Sequence, residues 1–266
     1  MTTIKELINL KGRRALITGA GGGLGRVMAS TLAELGADLI LIDLPDSDIN
    51  NLSNDLTNKW GVKVDSYYCD LEQQSKRSSL ITSIKTSGKE INILINNAAF
   101  VGASNLEGWN VPFEDQTIET WRRALEVNLT AIFDICQSLT PILKLSEGAT
   151  IINIASTYGL YGPDWSMYKE TDMGNPAAYG ASKGGVIQFT RWLSTTLAPN
   201  IRVNSISPGG IYRNQPKVFV KRYENKTPLG RMATEDDFRG VVAYLSSDMS
   251  KYMTGQNLLV DGGWGA

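Results

Sequence analysis

Histidine is absent from the 266 residues. That removes every Ser-His or Cys-His nucleophile pair and every histidine-ligated zinc site. Cysteine is nearly absent too: Cys69 and Cys136 lie far apart, in no CxxC motif. Two thiols cannot complete a four-cysteine zinc site, and they fit reduced, buried side chains in a reducing cytosol better than a disulfide framework. No metal is expected. An excess of charge of one sign is also lacking, since 26 basic and 27 acidic side chains leave a net charge of −1. Bulk charge therefore gives no reason to expect nucleic acid or an anionic membrane as partner. No apolar run is long enough to span a bilayer. The opening MTTIKELINLKGRR carries charges where a secretory leader needs an apolar stretch. The expectation is a cytoplasmic protein in which any proton chemistry falls to Tyr, Lys, Asp or Glu.

What is present is ordinary globular composition, 42% hydrophobic and 20% charged. The length suits one α/β domain spanning 1–266 and is short for two. Apolar runs at 14–18 (RALIT), 38–43 (DLILID), 62–69, 91–96 (INILIN), 149–155 (ATIINIA), 201–206 (IRVNSI) and 257–260 (NLLV) read as strands. Between them lie helix-period segments at 24–35, 50–59, 75–86, 117–145, 177–197 and 235–245, the last capped by Thr234. Continuously apolar strands alternating with helices imply an α/β fold: one doubly wound parallel sheet with helices on both faces. Two long irregular stretches, 157–175 and 210–232, follow the fifth and sixth strands. In such a sheet, ligands bind at the carboxyl ends of the strands, where both stretches begin.

Thr18-Gly19-Ala20-Gly21-Gly22-Gly23-Leu24-Gly25 lies between the first strand and the first helix. Glycines there allow a tight turn and let a pyrophosphate approach backbone N–H groups at a helix start. The strand–turn–helix context raises this from a bare glycine-rich loop to a dinucleotide site. Asp43, at the end of the second strand, can accept hydrogen bonds from both ribose hydroxyls and would repel a 2′-phosphate, which favours NAD (NADH) over NADP. The alternative is that Asp43 only starts the turn into Pro45. Asp70 follows the third strand and could accept from the adenine amino group. Asn97, Ala98 and Ala99 end the fourth, where short side chains let backbone pass close to a cofactor. Leu44 and Leu71, beside the two aspartates, complete that expected contact set.

Further motifs then fall in a fixed order: Asn128 in EVNLT, Ser156 after IINIA, Tyr179 and Lys183 in YGASK, and Pro208-Gly209 in SISPGG. With the glycine turn and the NNAA strand end, this order resembles the short-chain dehydrogenase/reductase family, over essentially the whole chain. The resemblance implies a Rossmann-type fold, a nicotinamide cofactor and Asn128, Ser156, Tyr179 and Lys183 as catalytic residues. Tyr179 and Lys183, four apart on an expected helix, share a face. A free phenol titrates near pH 10, and a neighbouring ammonium would lower that value. Tyr179 would exchange the proton with the reacting oxygen and Ser156 would orient that oxygen. Lys183 would hold the nicotinamide ribose, and Asn128 would position water behind it. Pro208, Gly209, Gly210 and Ile211 would meet the carboxamide through backbone groups. Many relatives carry a threonine shortly afterwards. Here Arg213 and Asn214 stand instead.

Ser156 and Tyr179 are separated more widely than in most relatives. The intervening loop offers Trp165, Tyr168 and Tyr161 for stacking on a flat ring. Subunit contact would be an equally structural use of it. Arg213, Lys217, Lys221, Arg222 and Lys226 suggest either an anion clamp or a solvated lid helix. The long Ser–Tyr spacing, the run GGIYRNQP and the ending VDGGW are similar to a bacterial subgroup known as flagellin modification protein A. That likeness implies a polyhydroxylated sugar as substrate, with or without a phosphate or nucleotide, and the residues expected to contact substrate are Ser156, Trp165, Tyr168, Tyr179 and Arg213. The family resemblance also implies a homodimer or homotetramer. The competing functions are an epimerase or dehydratase with tightly held NAD, and a cofactor-sensing regulator or scaffold.

Overall fold

The computed structural model describes residues 1–102 and 104–266. Seven strands form one parallel sheet in the order β3-β2-β1-β4-β5-β6-β7. They are β1 (Arg14–Thr18), β2 (Asp38–Asp43), β3 (Val64–Tyr68), β4 (Ile93–Asn96), β5 (Thr150–Ile154), β6 (Arg202–Pro208) and β7 (Asn257–Val260). The central strands are apolar on both faces because both faces are covered. Leu16 lies between Ile40 and Leu94, and every residue of β4 and β5 is buried.

The helices are α1 (Ile4–Ile8), α2 (Gly23–Glu34), α3 (Ile49–Trp60), α4 (Gln74–Thr86), α5 (Ile118–Leu125), α6 (Ala131–Leu143), α7 (Ala177–Leu197), α8 (Lys217–Lys226) and α9 (Arg239–Ser246). One apolar layer packs α2, α3 and α9 against the sheet through Met28, Leu32, Leu52 and Val242. The other packs α4, α6 and α7 on the opposite face through Ile81, Ile135, Leu139 and Val186. The doubly wound expectation is therefore met. Strand order reverses between β1 and β4, which opens a crevice at their carboxyl ends.

Three differences from the sequence reading concern the site. The helix expected over 117–145 is broken by a π turn, Glu126–Thr130, between α5 and α6. The stretch at 210–232 is not wholly irregular, because α8 lies within it and buries Phe219 and Tyr223, four residues apart. A third, smaller core joins that helix to the loop at 157–175 and the chain end, through Met167, Tyr168, Phe219, Tyr223, Met232 and Trp264. Among the described residues no helix is long and apolar enough to cross a membrane.

Candidate functional site

The glycine turn and the NNAA strand end are stitched together across the crevice. The Thr18 hydroxyl accepts from the backbone N–H groups of Asn97 and Ala98 at 3.0 and 3.1 Å. The Asn97 side chain donates to the carbonyls of Thr18 and Gly19 at 3.0 and 2.9 Å. Gly19 adopts φ +63°, and a Cβ there would stand 2.8 Å from Ala98 Cα. At Gly25 a Cβ would overlap the Gly19 carbonyl oxygen. Only glycine therefore permits this turn. Gly22 and Gly23 are exposed, and Gly22 is the N-cap of α2, which has no side-chain cap. A twelve-residue helix start without a side-chain cap fits a phosphate group.

Asp43 sits at the rim of that turn. One carboxylate oxygen accepts from Gly21 N–H at 2.6 Å, the other from Leu44 N–H at 2.7 Å. Asp70 is engaged in its own turn, accepting from Glu72 N–H at 3.0 Å and the Gln73 side chain at 2.7 Å. Leu71 is buried, and its carbonyl accepts from Arg77 at 2.5 Å.

Arg77 carried no signal in the sequence, where it looked like one more cation on a polar helix. It is only 2% exposed and pairs with Glu126 at 2.7 Å and Asp134 at 2.9 Å. It thus ties the segment after β3 to the π turn. In that turn Asn128 is fully buried, accepting from Phe100 N–H at 2.7 Å and donating to the Phe100 carbonyl at 3.0 Å and the Ser182 hydroxyl at 3.2 Å. Expected to position water, Asn128 here clamps the chain leaving β4 against α7.

Tyr179 and Lys183 lie on α7, with Ser156 just beyond β5. Lys183 is 2% exposed, and its ammonium donates to the Ile154 carbonyl at 2.7 Å. Burial lowers its pKa from 10.5 to about 8. The ammonium stands 5.9 Å from the Tyr179 ring centroid. Burial pushes the Tyr179 phenol up, and the Ser156 hydroxyl and the Arg213 charge pull the other way. The expected lowering by Lys183 is not found, since its ammonium is directed at the Ile154 carbonyl and not at the phenol. The Ser156 hydroxyl also accepts from Tyr158 N–H at 3.2 Å.

After β6 the backbone is fixed from two sides. Gly209 N–H donates to the Val260 carbonyl at 2.9 Å, and Gly210 N–H to the Tyr223 hydroxyl at 2.5 Å. Ile211 bridges to Ala233. Arg213, expected to meet substrate, faces the glycine turn instead. It pairs with Glu235 at 3.0 Å, directly over Gly23.

A cavity of about 620 Å³ lies beside the N-terminal end of α7, walled in part by Tyr158, Tyr161, Trp165, Asp172 and Asn175. Trp165 is 57% exposed and presents its ring there. Tyr168 does not line it. Its ring packs 5.3 Å from Phe219, and its hydroxyl bonds the Tyr158 hydroxyl at 2.6 Å. Tyr168 therefore supports the wall from behind and offers no free stacking face. Part of the basic segment is paired: Lys226 with Asp164 at 2.9 Å, and Arg222 with Glu170 at 3.5 Å and the Lys169 carbonyl. Lys226 holds the Asp164 carboxyl down at about 2, after the Ser166 hydroxyl. These pairs bind α8 to the loop, which weighs against an anion clamp. Glu235, Tyr158, Asn175 and Tyr223 escaped the sequence reading. For Tyr223 the spacing of four from Phe219 was the available sign.

A family model described as enoyl-(acyl carrier protein) reductase matches residues 19–265. An uncharacterized short-chain type dehydrogenase/reductase of Sinorhizobium fredii is 31% identical over 264 residues, 95% of this chain and 44% of the relative's length. The post-translational flagellin modification protein A of Campylobacter coli is 26% identical over 258 residues, 96% of this chain and 99% of its own. A short-chain dehydrogenase of Leptospira borgpetersenii, solved with bound NAD+, is 32% identical with a TM-score of 0.85, over 100% of this chain and 97% of its own. A gluconate 5-dehydrogenase of Burkholderia cenocepacia, solved with NADP and tartrate, is 26% identical with a TM-score of 0.86, over 99% of each chain. The flagellin-modification likeness is thus real but no stronger than likenesses to other members.

Proposed function

Because the chain belongs to the short-chain dehydrogenase/reductase family, whose members are oxidoreductases, we propose that it moves a hydride between NAD(H) and a carbonyl or secondary alcohol carbon of a sugar or sugar-derived substrate. The observation that carries this reading is the shared face of Tyr179 and Lys183 on α7, beside Ser156 and at the same carboxyl end of the parallel strands as the glycine turn. A bound nicotinamide would supply the hydride to a carbonyl carbon, or take it from an alcohol carbon. In reduction, the Tyr179 hydroxyl passes its proton to the substrate oxygen, which becomes the new hydroxyl. In oxidation the proton returns. Ser156 donates to the same oxygen and fixes its direction. Lys183 is held by the Ile154 carbonyl where it can turn to ribose hydroxyls, and Asn128 keeps the floor of the site rigid.

Asp43 supports NAD(H), since a 2′-phosphate would approach a carboxylate already anchored by two N–H donors. The Leptospira relative holds NAD+ and the Burkholderia relative NADP, so the family accommodates both. The cavity suits an unphosphorylated polyol, because its one charged lining residue among those described is Asp172. Gluconate as the named substrate of one neighbour agrees with a polyhydroxylated class. Exposed Phe133 and Trp192, on α6 and α7 around Phe189, support a homodimer or homotetramer. The test is Tyr179→Phe. Turnover of a substrate found by screening alcohols and ketones should fall at least about a hundredfold with NADH affinity nearly unchanged. Near-normal turnover would remove Tyr179 from the chemistry.

A further inference from the structure

The start of α2 has no capping side chain of its own, yet it is not without an anion. The Glu235 carboxylate stands over Gly23, where a methyl group would come within 2.7 Å of its Oε1 and 3.0 Å of an Arg213 guanidinium nitrogen. Arg213 Nε donates to that same Oε1 at 3.0 Å. The two residues come from separate loops, one after β6 and one opening the short turn before α9.

Both partners have fixed backbones. Arg213 N–H donates to the Gln215 side chain at 2.7 Å, whose amide donates back to the Ile211 carbonyl at 2.8 Å. On the other side Thr234 N–H donates to Asp237 at 2.7 Å, and Asp237 pairs with Arg231 at 2.7 Å. The Arg213 and Glu235 side chains extend from these anchored turns. Both reach solvent: the Arg213 side chain is 47% exposed and that of Glu235 26%.

We propose that Arg213 and Glu235 form a charge gate on the phosphate site of the glycine turn. Glu235 occupies the positive end of α2 as an internal substitute for a phosphate. When a dinucleotide binds, Arg213 releases Glu235 and takes the pyrophosphate oxygens, for which its planar fork is the better donor. Glu235 then turns to solvent. The gate rests on the dinucleotide reading of the turn. It adds that the two residues act on affinity in opposite directions, Arg213 as a ligand and Glu235 as a competitor.

The test is NADH binding to the whole protein by fluorescence, with adenosine as a phosphate-free competitor. Arg213→Ala should weaken NADH about tenfold, the loss of one charge-assisted contact. Glu235→Gln should tighten it about threefold or more, since repulsion and competition both disappear. Neither change should move the adenosine inhibition constant. Weaker or unchanged binding by Glu235→Gln would overturn the gate, as would wild-type affinity in Arg213→Ala. If Arg213→Ala also loses adenosine, Glu235→Gln decides alone, and anything but tightening counts against the gate. A wild-type protein that binds neither NADH nor NADPH would remove the dinucleotide reading and the gate with it. Binding with both variants unchanged would remove the gate alone.

Discussion

Lys183 should make the free protein less stable than it needs to be. Its pKa of about 8, against an ordinary 10.5, means that the folded state holds the proton less tightly than the unfolded chain. That gap corresponds to about 3 kcal/mol against folding at pH 7, where the amine is charged in both states. The sign follows from the protons bound. Between pH 8 and 10.5 the unfolded chain carries more of them, so stability rises with pH across that window. Lys183→Met keeps the length of the side chain and removes the charge. It also removes a donor from the Ile154 carbonyl, now 2.7 Å away, at a cost of about 1–2 kcal/mol. The net expectation at pH 7 is a gain of about 1–2 kcal/mol, or about 2–4 °C in Tm for a domain of this size. Thermal unfolding of both proteins without ligand, from pH 7 to 10, measures it. The advantage of the variant should shrink as pH rises and reverse near pH 10. Lower stability of the variant at pH 7, or a difference that does not change with pH, would refute the reasoning.

Two further outcomes follow from the geometry. Wild type should prefer NADH to NADPH in kcat/KM, and Asp43→Ala should narrow the ratio about tenfold or more by removing the carboxylate anchored on Gly21. A wild-type preference for NADPH would show that Asp43 has been misread. Trp165→Ala should raise KM for the substrate severalfold while NADH affinity, read by fluorescence, stays near wild type. Lower thermal stability with unchanged kinetics would move substrate recognition away from the loop.

The sheet was legible because its strands are buried on both faces and read as unbroken apolar runs. β1, β2, β7 and α7 begin and end at the expected residues. The π turn was not legible, since EVNLT has ordinary helical composition and the bulge depends on Asn128 reaching Phe100, 28 residues earlier. α8 was hidden by its β-branched and aromatic residues, with Phe219 and Tyr223 its only buried pair. The short α1 had a visible sign, the Thr3–Glu6 capping box, in a stretch read only for its charge. At the site, chain order brought out the four proposed catalytic positions and the glycine turn. It could not give the facing of Arg213, because its partner Glu235 lies 22 residues away across two loops. Tyr168 was misjudged for the same reason: sequence shows an aromatic residue in a loop, not which side of the loop packs.

That last distinction decides what the loop at 157–175 can do. Its inner side is a set of contacts that runs without a break to the cofactor end of the site. Tyr168 packs on Phe219, Phe219 lies 6.1 Å from Tyr223, and the Tyr223 hydroxyl holds Gly210 N–H. Any change there must disturb the backbone expected to meet the carboxamide. Trp264, stacked on Tyr223 and under the Lys226 ammonium at 4.2 Å, belongs to the same chain of contacts. The outer side, with Trp165 and Tyr161 toward the cavity, meets that core at its margin, through the 5.6 Å approach of Trp165 to Tyr168 and the 6.2 Å approach of Tyr161 to Trp264. Variation on the outer side can alter substrate choice while the nicotinamide end stays fixed. Variation on the inner side cannot. Trp165 is therefore the discriminating probe of the loop, and a substitution at Tyr168 would confound substrate binding with cofactor binding.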